Sequence, residues 1–214
     1  MELLQFQKPA RYIGRELNLN FTPPARGDVR VCLCFPEVYE VGMSYLGFRI
    51  VHDLFRSQPG ISCERCFLPG EDMRAYLYRE GKPLCSIETG TPLADFDVIA
   101  LCVNCEPNLV NAVVMARLAG IPVRSADRTG PLVIAGGMNN PQPLADMCDV
   151  IFMGEFEASA AAVCDILRLK SSHRERLEAF AEQPFCYVPA RQDAAPSRRA
   201  YVDDLDAFLY PRTW

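Results

Sequence analysis

Residues 131–157 read PLVIAGGMNNPQPLADMCDVIFMGEFE. Two short apolar runs stand in this stretch, Leu132–Ala135 and Val150–Met153, each bounded by turn formers and neither alternating. Strands buried on both faces of a parallel sheet have this pattern. Each run ends in glycine: Gly136-Gly137 after the first, Gly154 after the second. Glycine at a strand's carboxyl end permits a sharp turn and a close approach to the backbone. In open α/β sheets ligands bind at that edge. The stretch therefore predicts two neighbouring strands whose loops form half of a crevice, although ordinary strand-to-helix turns would read the same way.

The flanking sequence extends the pattern. VRVCLCF (29–35) predicts a first strand, with Val29, Val31, Leu33 and Phe35 on one face and Cys32 and Cys34 on the other. A long turn follows, with Ser44 as the expected N-cap of a helix to about Phe55. Leu46, Ile50, Val51, Leu54 and Phe55 form its expected apolar face, and His52 is expected on its flank. ISCERCFL (61–68) predicts a second strand, and Glu71-Asp72 open a helix that Gly81 stops. A short strand is possible at Cys85–Ile87. A third full strand spans 96–103, and Pro107 suits the first turn of the next helix. That helix should bury Leu109, Val110, Val113, Val114 and Leu118. After Glu157 a helix to about Lys170 buries Ala160, Val163, Ile166 and Leu167. Ser172-x-x-Glu175 predicts a capping box.

Strands alternating with helices give an α/β fold: a doubly wound, flavodoxin-like parallel sheet of about five strands in three layers, order 2-1-3-4-5. The crevice then lies between the loops after strands 1, 3 and 4. Residues 1–28 read as an N-terminal arm, 29–170 as the Rossmann-type domain, and 171–214 as a helical and extended appendage.

Bulk composition narrows the function classes. The 214 residues carry a net charge of −5 and are 50 % hydrophobic. No basic stripe with interleaved aromatics is present, which argues against nucleic acid. No apolar run approaches the ~20 residues of a membrane span. The opening MELLQFQKPARYIG has no signal-peptide pattern, so a cytoplasmic protein is expected. The 10 cysteines are expected to be reduced thiols. The first-strand loop has a single glycine and no Gly-x-Gly-x-x-Gly, which argues against a dinucleotide in the usual mode.

Three motif regions carry a resemblance. The arm contains Lys8-Pro9-Ala10-Arg11-Tyr12-Ile13-Gly14. The first loop runs Phe35-Pro36-Glu37-Val38-Tyr39-Glu40-Val41-Gly42-Met43-Ser44-Tyr45-Leu46-Gly47. The central stretch has Gly136-Gly137, Pro141-x-Pro143-Leu144-Ala145-Asp146, Asp149 and Gly154-Glu155-Phe156-Glu157. Together they resemble the cobalamin-binding-like N-terminal domain that precedes the barrel in an uncharacterised subfamily of radical SAM enzymes. The resemblance implies a crevice that binds cobalamin base-off, without a histidine ligand. Its cofactor-binding residues would be Glu37, Val38, Tyr39, Gly42, Met43 and Ser44 from the first loop, and Glu106 and Asn111 from the third. The later loops would add Gly136, Gly137, Met138, Asn139, Pro141, Gly154 and Glu155. Phe156 stands where the family has a second glycine.

The family's Cys-x-x-x-Cys-x-x-Cys triad does not occur among the cysteines. SAM and the 4Fe–4S cluster are therefore expected only through a barrel domain or partner protein, and no catalytic or metal-ligating residue is assigned. The chain reads as that N-terminal domain standing alone, as an accessory domain that binds a cofactor or a partner. An alternative is a ligand-free interaction module, with Phe156 filling the glycine's space. Two Cys-x-x-Cys pairs raise a third reading, a thiol redox or zinc protein. Cys63 and Cys66 fall within a strand and point to opposite faces, leaving Cys102 and Cys105 as the candidate pair. Glu37, Glu40, Glu106 and Glu155 are expected to share one crevice, where clustered carboxylates tune proton transfer.

Overall fold

The computed structural model describes residues 2–17, 19, 21–137, 140–169, 172–191 and 198–207. One six-stranded sheet has the order β2-β1-β3-β4-β5-β6. Its strands are β1 (Val29–Phe35), β2 (Ile61–Phe67), β3 (Val98–Cys102), β4 (Leu132–Gly136), β5 (Val150–Phe152) and β6 (Cys186–Tyr187). The first five pair in parallel, in the expected order. The sixth is antiparallel to β5 and was not expected. With two residues it is too short to carry a periodicity.

Six α-helices among the described residues complete the fold: α1 (Tyr39–Ser44), α2 (Leu46–Ser57), α3 (Glu71–Glu80), α4 (Pro107–Leu118), α5 (Ala160–Arg168) and α6 (His173–Ala181). The sheet has an apolar core on each face. Cys32, Cys34 and Cys66 join side chains of α3 and α4 in one core. Val31, Leu33, Phe35 and Cys63 join α2, α5 and α6 in the other. Successive residues alternate between the cores, so the central strands carry no polar side of their own. Three layers result.

The first helix departs from expectation. Tyr45 has extended backbone (φ −86°, ψ 110°) and splits the segment into α1 and α2. Ser44 caps neither helix, because its hydroxyl turns back to donate to the Val41 carbonyl at 2.8 Å. α2 packs through Phe48, His52 and Phe55, and leaves Leu46 at its start 51 % exposed. His52 is therefore a core residue at 2 % exposure, not a flank residue. The aromatic stripe at i, i+4 and i+7 won over the aliphatic one because Phe48 meets Phe35 and Phe67 edge-on or tilted, with centroids 5.5 and 5.2 Å apart. α4 buries the expected Leu118 together with Asn108, Ala112 and Met115, packs Leu109, Val113 and Val114 partly buried against the core, and leaves Val110 exposed. Cys85 forms only an isolated bridge, to Pro92. The remaining boundaries lie close to those expected, including the Ser172–Glu175 capping box.

Candidate functional site

The strand order reverses direction at β1, so the open-sheet rule places a crevice outside the carboxyl ends of β1 and β3. On the α4 side, asparagines close this point. Asn108 and Asn111 each donate a side-chain amide hydrogen to the Pro36 carbonyl, at 3.3 and 2.9 Å. Asn108 Oδ1 accepts from the Asn104 amide at 3.1 Å, and Glu37 Oε1 accepts from Asn111 at 3.0 Å. Glu37 and Asn111, both expected to hold a cofactor, hold each other and the loop after β1.

On the α2 side a cavity of about 190 Å³ remains. Its floor is Leu33, Ala100 and Ile134; Phe55 and Phe156 form one wall. The Phe156 ring packs tilted against Phe55, with centroids 4.8 Å apart, and lies 6.0 Å from the Phe152 ring. Tyr45 and Gly47 line the cavity from the α1–α2 junction, and Gly136, Gly137, Gly154, Glu155 and Glu157 line it from the later loops.

The other expected residues lie elsewhere. Tyr39 donates its hydroxyl hydrogen to Glu16 at 2.6 Å and packs on Phe67. The Met43 sulfur accepts from Arg65 at 3.2 Å, facing away from the crevice toward β2. Gly42 is packed under the Phe67 ring, 2.4 Å from where a Cβ would stand. The Val38 carbonyl starts α1, Ser44 and Glu106 are exposed, and Pro141 is buried beside a 3-10 turn at Gln142–Leu144. Met138 and Asn139 fall outside the described residues. The four glutamates do not converge: Glu40 pairs with Arg11 and Lys8, and only Glu155 lines the cavity.

The loop glycines serve the chain itself. Gly137 (φ +105°) has the Val103 carbonyl oxygen 2.6 Å from where its Cβ would be, and Gly154 (φ +102°) has that of Ala200 at 2.2 Å. Gly154 forms a parallel bridge with Ala200, and the Glu155 carboxylate accepts from the Val202 amide at 2.6 Å. Residues 200–202 thus occupy the space that glycine leaves open at the end of β5. Asp149 is equally committed, accepting from the Val133 amide at 2.7 Å and pairing with Arg128 at 2.9 Å.

The model of the family "Radical SAM proteins, N-terminal" matches residues 47–189, more than half of the chain. The chain belongs to that family. Comparison with curated proteins and with solved structures found no match.

The described residues offer neither a histidine nor a thiolate set at the crevice. His52 is buried against β2, and His173 lies near the opposite, amino end of the sheet with Asp97 and Leu132. Burial pushes the Cys102 thiol up to about 12, so it is not a thiolate at neutral pH, and Cys105 is exposed at the loop. No group of three or more metal-ligating side chains stands together among the described residues. No helix among them is long and apolar enough to cross a membrane.

The cavity is also below the ~300 Å³ at which ligand pockets usually begin. It does not fit a corrin.

Sequence reasoning missed Tyr45, Gly47, Val51 and Phe55 as lining residues. The signal available was Gly47, the end of the first-loop motif, which lets the Tyr45 ring fold back over it: the ring stands 3.0 Å from where a Gly47 Cβ would be.

Proposed function

We propose that this chain is a non-catalytic accessory domain whose carboxyl sheet edge docks on a radical SAM barrel. The barrel, on the same or another polypeptide, supplies the 4Fe–4S cluster and SAM. One observation carries this reading: the family match at residues 47–189 coincides with a cysteine set that holds no cluster-binding triad. The surface at that edge supports it. Val41, Leu46 and Val110, on α1, α2 and α4, are 46 %, 51 % and 69 % exposed around the crevice mouth. The α4 and first-loop sides of this rim are tied together through Asn111 and Pro36. Exposed apolar side chains on the helices that follow β1 and β3 suit an interaction surface at that edge.

The catalytic half of the proposal is tested by anaerobic reconstitution of the purified chain with iron and sulfide, followed by SAM and reductant. The expected result is no cluster spectrum and no 5′-deoxyadenosine. Formation of 5′-deoxyadenosine by this chain alone would refute it.

The cavity does not fit a corrin, so the edge is read as a docking surface without bound cobalamin. Desalting the chain after mixing with hydroxocobalamin tests this: a colourless, folded protein is expected, and a retained visible band would overturn it.

A further inference from the structure

A second cavity, of about 390 Å³, lies at the other side of the molecule, beyond the carboxyl end of β2. This volume is within the range of small-molecule sites. It is closed from above by the N-terminal arm, through Tyr12 and Arg15 among others, and from below by Phe67, Leu84 and the segment leading to Glu88. The arm precedes residue 47, so it lies outside the stretch that matches the radical SAM family.

The arm is held firmly. Arg11 pairs with Glu40 at 2.8 Å, Glu16 with Arg65 at 2.8 Å, and the Gln7 amide donates to Asp72 at 2.6 Å. None of these contacts fills the space beneath. The cavity wall is mixed: Phe67, Leu68, Leu77 and Leu84 give it apolar surface, and Arg11, Arg15, Ser86, Glu88 and Thr89 give it polar surface. Glu88 is its carboxylate, and both oxygens are taken: Oε1 by Arg65 Nε at 2.6 Å and Oε2 by the Arg65 amide at 2.7 Å. Arg15, by contrast, lines the cavity and is exposed, and no ion pair of Arg15 occurs among the described residues. Tyr12 adds a donor. Its oxygen accepts from the Gly70 amide at 3.0 Å, which leaves its own O–H hydrogen to give.

A chamber with apolar wall, a guanidinium and a hydroxyl donor has a defined complement. We infer that this cavity binds a small amphiphilic organic anion, its apolar body among Phe67 and Leu84 and its carboxylate or sulfonate at Arg15 and Tyr12. The inference is independent of the radical SAM docking reading, because it uses a different cavity and different residues.

The test is fluorescence titration of the full chain with 8-anilinonaphthalene-1-sulfonate, followed by displacement with decanoate or with uncharged decanol. Saturable binding at one site is expected, displaced by decanoate well before decanol. Arg15→Glu should weaken it about ten-fold or more, the loss of one charge-assisted contact plus repulsion. Arg15 is exposed, so this variant should fold, and an unchanged thermal midpoint would confirm it. Val51→Trp, which fills the other cavity, should leave the titration unchanged. No saturable binding, equal displacement by decanol, indifference to Arg15→Glu, or loss of signal in Val51→Trp would each overturn the inference.

Discussion

Strands β2 and β3 are both buried along their full length, by different means. β3 is central: it pairs with β1 and β4 and contributes Val98, Ile99, Ala100 and Leu101 to the two cores. β2 is an edge strand, yet it carries Glu64 and Arg65 at zero exposure. Its free edge is closed by residues 84–91. The Ile87 amide donates to the Arg65 carbonyl at 2.9 Å, while Glu88 receives the Arg65 amide and guanidinium. Glu64 is met by Ser86 at 2.7 Å, Thr89 at 2.6 Å and Arg30 at 3.2 Å. A central strand needs only apolar neighbours. A closed edge with charges needs a partner for every charge, and the segments that supply the partners also shield the edge from pairing with another chain.

The largest effect should come from breaking that edge. Arg65→Leu strands Glu88 and Glu16 against an apolar face, and a buried pair broken on one side costs about 3–5 kcal/mol. Urea unfolding would register it; a loss below about 1 kcal/mol would mean that the ion pairs do not hold the edge. Next is the opposite side of the sheet, where residues 200–202 cover β5. Gly154→Ala forces a side chain into a positive-φ position against the Ala200 carbonyl, for a loss of about 1–3 kcal/mol. Faster proteolysis after residue 198 should accompany it.

A smaller effect depends on pH. His52 packs behind β2, its Nε2 is buried without a partner, and burial, with Arg65 and Arg56 nearby, holds its pKa well below the ordinary value. Above pH 6.5 it is neutral in both folded and unfolded chains and contributes no pH dependence. As pH falls below 6.5 the unfolded chain takes the proton first, so stability drops by up to about 1.4 kcal/mol per pH unit. Urea midpoints between pH 7.5 and 5.5 should show this slope, and His52→Leu should flatten it. The smallest effect is expected in the central strand. Ile99→Val removes one methylene from an apolar site, for about 0.5–1.5 kcal/mol. If it matched Arg65→Leu in a parallel titration, the contrast between the strands would collapse.

The same contrast explains what could be read from the sequence. The five parallel strands and their order were legible because Val, Ile, Leu and Cys runs bounded by Gly and Pro have few alternatives. The capping box at Ser172 was legible because its signal is local. The face of α2 was not, since two apolar stripes compete on it and only the Phe35 and Phe67 rings decide between them. Nor was the site. The first-loop motif from Glu37 to Ser44 was visible, but Tyr39 and Met43 turn toward Glu16 and Arg65, partners far away in the chain. The glycines after β4 and β5 were rightly read as places of close backbone approach. What approaches Gly154 is Ala200, from a tail with no periodicity to announce it.

The docking of the carboxyl sheet edge on a radical SAM barrel is tested most directly by site-specific photo-crosslinking. A photoreactive residue at Leu46 or Val110, introduced in the native host, should capture a peptide from a polypeptide bearing Cys-x-x-x-Cys-x-x-Cys, identified by mass spectrometry. The same probe at Tyr78, exposed on α3, should not. Capture at Tyr78 but not at Leu46 or Val110, or no capture of such a polypeptide from either position, would contradict the account.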